Sequence, residues 1–314
     1  MNKITIIGSG SVGSTIAYTL AVNGACSDIV LIDINSEKAY GEALDIRQGI
    51  PFCNPCNVYA GTYSDAENSD IVIITSGIAR KPGQTRLELA QTNIDVLKSI
   101  IPQITHYAPD AVYLIVSNPV DILTYAFCKR SGIPEDRIIG SGTILDTARL
   151  RARLSEHYKI SQSNVHAYVF GEHGDSSFVP WSLANISNVH IDDCPNSFLV
   201  GGKQLPALDR EEVADYVRKS GGRVIERKGA TFYAVSISVY YICKCLLSGI
   251  DTTMTISTMM HGEYGIDDVC LSTLSVVGNR GIRSKVILPL NDDEIIKLRN
   301  SADKLKEIIK GTVI

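Results

Sequence analysis

The stretch that most constrains this chain is its first strand-turn-helix. Ile4-Thr5-Ile6-Ile7 is a run of β-formers, and Gly8-Ser9-Gly10-Ser11-Val12-Gly13 follows it directly. Such a run predicts a short strand buried in a sheet. The glycines fall at the spacing G-x-G-x-x-G. Gly8 permits the tight turn, Gly10 lets a phosphate approach the backbone beside Val12, and Gly13 lets the next helix pack on the strand. A helix that opens there offers free N–H groups and a positive dipole end to a pyrophosphate. Alone, the glycine pattern is a weak signal, since a strand-turn-helix without a ligand also produces it. A second apolar run, Ile29 to Ile34, contains Asp33 at 20 residues after Gly13. A carboxylate there accepts hydrogen bonds from both hydroxyls of an adenosine ribose and repels a 2′-phosphate. Gly8, Gly10, Val12, Gly13 and Asp33 are therefore candidate contacts to NAD rather than NADP.

The next segments repeat the strand–helix alternation. Glu37 to Arg47 reads as a helix, and Val58 to Ala60 and Ile71 to Thr75 read as strands. Alternation of this kind predicts right-handed crossovers and a doubly wound parallel sheet. Ser76 to Glu88 interrupts it with two glycines, a proline and three cations. It follows the carboxyl end of a strand, where open α/β sheets bind ligands. It reads as a solvated loop or as a lid over an anionic substrate. Leu89 to Tyr107 has helical spacing, with Pro102 expected to kink or end it. Ala111 to Val116 is another buried strand. It leads to Asn118, which either points an amide into the same crevice or caps a helix that starts at Pro119. Ile138 to Thr143 reads as the last strand of a first domain and its exit.

The second half carries the acid–base candidates. Leu145 to His157 is helical by pattern and places Asp146 and Arg149 three residues apart on one face. A β-rich run from Val165 ends at His173, close to Gly171 and Gly174. Histidine gives and takes a proton near neutral pH, and Asp146 is a candidate carboxylate to orient it. Asp192 to Asp209 reads as loop and Glu211 to Lys228 as an amphipathic helix. Phe232 to Ser248 is almost wholly apolar, which predicts burial in a core or between subunits. Strands fill Met254 to Leu290. A last helix, capped by Asn291-x-x-Glu294, runs to about Lys310.

Composition narrows the function classes. A chain of 314 residues accommodates two domains, here expected at 1–142 and 143–314. The net charge of −4 without a basic run points away from nucleic acid and anionic membranes. No apolar run reaches the roughly 20 residues of a membrane span. The chain enters its first strand without a leader-like segment, so a cytoplasmic location is expected. Eight cysteines in a reducing compartment are expected to be free thiols. Cys53 and Cys56 have the spacing of a zinc or redox pair, but no matching second pair exists. No metal site is expected.

Taken together, the chain resembles the L-lactate/malate dehydrogenase family over essentially its full length. The motifs that carry the resemblance are Gly8-x-Gly10-x-x-Gly13, the Asp33 strand end and Lys81-Pro82-Gly83-Gln84-Thr85-Arg86. Three more are Ser117-Asn118-Pro119-Val120-Asp121, Gly142-Thr143-x-Leu145-Asp146-x-Ala148-Arg149, and Gly171-Glu172-His173-Gly174-Asp175. The stretches Asp45 to Phe52, Ser141-Gly142-Thr143 and Lys228 to Thr231 are more similar to the bacterial lactate branch than to the malate branch.

The resemblance implies a Rossmann-type NAD-binding domain followed by a mixed α+β substrate domain. It also implies reversible NADH-dependent reduction of a small 2-keto acid to a 2-hydroxy acid, with pyruvate as the expected substrate. In it His173 is the proton donor and acceptor, Asp146 orients His173, and Arg149 forks the substrate carboxylate. Arg86 closes with the lid to polarise the carbonyl. Asn118 contacts cofactor and substrate, and Thr231 lies near the substrate side chain. Arg80 occupies the specificity position of the lid, where most lactate enzymes have glutamine and malate enzymes have arginine. Oxaloacetate is accordingly the alternative substrate. Arg151 and His166 match positions that bind fructose 1,6-bisphosphate across a subunit interface in allosteric members. A homotetramer, or at least a dimer, is implied.

Overall fold

The computed structural model describes residues 2–78, 83, 85–200 and 203–314. Arg80 and its neighbours Lys81, Pro82 and Gln84, expected in the lid, lie outside the described residues.

The first half alternates as its sequence predicts. The order is β1 (Lys3–Ile7), α1 (Ser11–Val22), β2 (Asp28–Ile32), α2 (Ser36–Gly49), β3 (Asn57–Ala60) and β4 (Ile71–Ile74). There follow α3 (Arg86–Tyr107), β5 (Val112–Ile115), α4 (Val120–Arg130), β6 (Ile138–Gly140) and α5 (Ile144–Tyr158). Helix α3 starts earlier than its apolar spacing suggests. Thr85 and Glu88 form a reciprocal capping box that satisfies its first N–H groups. It also continues through Pro102, which removes only one backbone rung.

In the second half, β7 (Val165–His166), β8 (Asn185–Ile186) and β9 (Val189–His190) form a small sheet. The expected loop from Asp192 contains a helical turn, α6 (Cys194–Ser197), and a minimal hairpin of β10 (Leu199–Val200) and β11 (Lys203–Gln204). Then come α7 (Arg210–Lys228), α8 (Tyr233–Ser248), β12 (Thr252–His261), β13 (Asp267–Gly278), β14 (Gly281–Lys285) and α9 (Asp292–Lys310).

The main sheet has nine strands in the order β14-β13-β12-β6-β5-β4-β1-β2-β3. Strands β3 to β6 of this order run parallel and are the doubly wound part. The long antiparallel strands β12 to β14 extend the same sheet from β6. One apolar core therefore joins residues of both halves, from Ile7 and Phe127 to Phe170 and Leu298. Helix α8 is not buried all round within the chain. Val239, Ile242 and Leu246 face inward, while Tyr233 is 64% and Ile237 61% exposed.

Register sets the functional edge. Ile7 pairs with Ile32 and Ile74, Ile74 with Ile115, and Ile115 with Gly140. The parallel strands therefore end level, and the residues that leave them, among them Gly8, Asp33 and Ser141, share one rim of the sheet.

Candidate active site

The cofactor loop occupies that rim. Gly8 has φ +104°, and a Cβ there would sit 2.8 Å from the Ser76 nitrogen. A Cβ on Gly13 would overlap the Gly8 carbonyl oxygen, whereas one on Gly10 would meet only open space. The turn is thus packed tight where backbone meets backbone and open where a phosphate needs room. Val12 lies half-buried in the first turn of α1. Gly10 caps that helix without a side-chain bond, which leaves first-turn N–H groups to a ligand. The Ser9 hydroxyl is buried without a partner among the described residues. Asp33 accepts from the backbone N–H of Ser9 at 2.6 Å and of Asn35 at 2.9 Å. Its carboxylate is thereby held against the glycine turn. The donor set, the open Gly10 and the acid at the second strand end fit NAD.

His173 is fixed by its backbone before its side chain is considered. Gly171 exchanges both backbone hydrogen bonds with Ser272 of β13, at 2.9 and 3.0 Å. The Glu172 N–H donates to Ser301 Oγ of α9 at 2.8 Å, and the His173 N–H donates to Asp121 Oδ2 of α4 at 2.8 Å. Three consecutive residues are pinned to three different elements. Only the first part of the β-rich run before them is a strand; Phe170 makes an isolated bridge to Phe178.

The ring of His173 meets Asp146 of α5, Nδ1 to Oδ2 at 2.6 Å. The other carboxylate oxygen of Asp146 accepts from Arg149 Nη1 at 2.8 Å. The negative charge of Asp146, aided by this hydrogen bond, raises the imidazole to about 9 against the opposing pull of burial. Burial alone would raise Asp146; the charges and hydrogen bonds of His173 and Arg149 outweigh it and hold the carboxyl below its usual range. The histidine is therefore protonated at neutral pH, and Nε2 has no partner among the described residues. A charged ring with one nitrogen anchored and the other available is a positioned proton donor.

These groups share a cleft of about 220 Å³. His173, Asp146, Arg149, Asn118 and Thr231 all line it. Asn118 does not cap α4, whose N-cap is Pro119. Its backbone carbonyl accepts from Asn93 Nδ2 at 2.7 Å. Arg86, at the start of α3, lies outside the cleft wall and pairs with Glu172, at 3.3 Å, and with Asp175. Arg151 and His166 do not line the cleft. Arg151 donates to the Ala167 carbonyl and lies over the Tyr168 ring, and His166 is exposed. Among the described residues no cluster of metal ligands occurs, and the eight cysteines are free.

Sequence reasoning passed over several supports. Asp121 is buried, accepts from Ser257 Oγ at 2.6 Å and holds the His173 backbone. Burial pushes it up to about 6, although the bonds from Ser257 and His173 oppose the rise. Its place in Ser117–Asp121 was the available signal. Asn93 joins Asn118 to the backbone of Ile78, and Arg218 of α7 enters the cleft wall. Neither had a local sequence signal.

A glycine turn with room for a phosphate on the sheet rim, and a cleft that holds a histidine–carboxylate–arginine chain, fit the class of NAD-dependent oxidoreductases. Comparisons with known proteins narrow the class. The family model of the lactate/malate dehydrogenase NAD binding domain matches residues 2–140, and that of the lactate/malate dehydrogenase alpha/beta C-terminal domain matches residues 143–313. The L-lactate dehydrogenase of Thermoanaerobacter pseudethanolicus is 48% identical over 310 residues, covering 99% of each chain. That of Thermoanaerobacterium saccharolyticum is 46% identical over 310 residues, again covering 99% of both. Among solved structures, the minor L-lactate dehydrogenase from Enterococcus mundtii superposes with a TM-score of 0.94 at 34% identity, covering 100% of this chain and 99% of that one. The chain belongs to the lactate/malate dehydrogenase family.

Proposed function

We propose that this protein is an L-lactate dehydrogenase, reducing pyruvate to L-lactate and running the reverse reaction. The observation that carries the reading is the continuous His173–Asp146–Arg149 chain in one cleft at the sheet rim. Bound across the Gly8–Gly13 loop and Asp33, NADH supplies the hydride. His173 gives the proton held at Nε2 to the carbonyl oxygen as it becomes an alkoxide. Asp146 keeps Nδ1 bonded and the ring charged until then. Arg149 takes the substrate carboxylate bidentately, which orients the keto carbon and which a lysine could not reproduce. Arg86 leaves Glu172 and Asp175 to bring its positive charge to the carbonyl oxygen. Asn118 adds an amide donor there, and Thr231 bounds the methyl end.

The relatives named above carry the lactate name and give the oxaloacetate alternative no support. Arg80 carries no part of this reading. NADH oxidation with pyruvate and with oxaloacetate tests the choice. A clear kcat/KM preference for pyruvate is expected, and a preference for oxaloacetate would overturn it.

The same proposal extends to assembly, regulation and location. The exposed Tyr233 and Ile237 face of α8 supports burial against further copies in a homotetramer or dimer, measurable by light scattering. Arg151 and His166 would bind fructose 1,6-bisphosphate, which should lower the pyruvate KM; an unchanged KM at saturating effector would refute this. A cytoplasmic setting belongs to this reading.

A further inference from the structure

Beside the cleft lies a second concavity of about 480 Å³, between α7 and α9. Its walls are two helix faces with complementary spacing. Arg210, Ala214 and Arg218 stand one turn apart on α7, and Lys297, Asn300 and Lys304 do so on α9. The floor is the segment that follows His173, from Asp175 to Trp181. Two residues, Ser177 and Arg218, line both this groove and the cleft that holds His173 and Arg149. The two spaces therefore adjoin, with Ser177 and Arg218 between them.

The charges in the groove do not cancel. Arg210 is paired with Asp192, and Asp175 with Arg86. Arg218, Lys297 and Lys304 have no ion pair among the described residues, and Glu211 is the remaining acid on the wall. Three free cations thus face one free carboxylate in a chain whose net charge is −4. The whole molecule repels an anion weakly, while this groove attracts it. A concave wall with one dominant sign raises the local concentration of the opposite ion and guides it inward.

We infer that the α7–α9 groove is the approach route for the anionic 2-keto acid, with Lys297 and Lys304 at its mouth and Arg218 handing the carboxylate on to Arg149. The inference rests on the 2-keto acid reading above and adds steering groups that do not touch the reacting atoms. Neither lysine contributes to chemistry once the substrate is bound, so kcat is independent of them.

The test is the ionic-strength dependence of kcat/KM for wild type and Lys297→Glu/Lys304→Glu at saturating NADH. Both lysines are exposed, so the fold tolerates the change. Reversing both changes the local charge by four, which lowers kcat/KM for a monoanion about fivefold at roughly 10 mM ionic strength and leaves almost no difference near ~1 M. The charge-matched Lys3→Glu/Lys129→Glu, at the end of the sheet opposite the functional rim, should follow wild type. Pyruvate and oxaloacetate are both assayed, and the dianion should show the steeper deficit. A preference for oxaloacetate would refute the lactate reading while still testing the groove. Turnover of neither acid would refute both. Equal salt dependence in all proteins, or a deficit that persists at high salt, would overturn the groove inference. So would a saturable effect of sulfate at constant ionic strength, which would mark a fixed anion site instead.

Discussion

Replacing Asp146 by asparagine removes the charge that raises His173 at almost unchanged shape. The single amide oxygen accepts from His173 or from Arg149, not both, so one of the two bonds is lost as well. Lifting the imidazole from its ordinary 6.5 to about 9 amounts to about 3 kcal/mol in favour of the protonated ring, at ~1.36 kcal/mol per pH unit. Without the carboxylate, burial and the Arg149 charge lower the ring with only Asp121 opposing them, and it falls to about 6.5 or below. At about pH 8 wild type then keeps roughly nine-tenths of its histidine protonated and the variant about 3%, a loss of ~30-fold in pyruvate reduction from protonation alone. Near pH 5 both rings are charged, and that part of the deficit closes. The assay is kcat/KM for pyruvate from about pH 5 to 10 at saturating NADH. A pH-independent deficit, with the break still near 9, would refute the claim that Asp146 sets the histidine's charge. It would leave Asp146 as a group that only holds geometry.

Other substitutions probe separate parts of the structure. Arg149→Lys replaces a planar fork by a point charge and should raise the pyruvate KM by about 10- to 100-fold, as expected for ~1.5–3 kcal/mol of charge-assisted bonding, with NADH binding unchanged by fluorescence titration. Gly13→Ala drives a methyl into the Gly8 carbonyl oxygen, so NADH affinity should fall at least tenfold, on the order of 1.4 kcal/mol, because the turn must open. Phe127→Ala empties a fully buried position against Tyr113, whose ring centroid is 4.7 Å away, and should cost about 3–5 kcal/mol in denaturant unfolding at fixed protein concentration. The titrations also set stability windows. The folded His173 holds its proton more tightly than free histidine, so its contribution is complete below 6.5 and disappears as pH rises through about 9. Asp146, held below its ordinary 3.8, contributes at neutral pH and loses that contribution as pH falls below this value.

The doubly wound part was legible because its signals are local. Strands β1, β2, β4 and β5 are short apolar runs bounded by glycine, aspartate or serine, and the glycine loop states its own geometry. His173 and the α5 carboxylate could be named as candidates singly. Their 2.6 Å contact joins residues 27 positions apart, and no periodicity reports such a distance. Capping chemistry set the start of α3, where apolar spacing marked only its buried part. Helix α8 shows the converse: its sequence is apolar on every side, yet the chain covers only one of its faces.

By itself, the order of residues determined which segments become strands and helices, where phosphate can approach the backbone, and which side chains are able to carry protons and charge. Those properties depend on neighbours within a few residues. Tertiary structure alone decided that Asp121, Ser272 and Ser301 from three distant elements hold the backbone of residues 171–173. It also decided that β12 to β14 complete the nucleotide-binding sheet, and that α7 and α9 bring four cations to one groove. Each is a long-range contact, set when the whole core packs. Burial, which decides whether a carboxylate titrates near 4 or near 6 as Asp121 does, exists only after that packing.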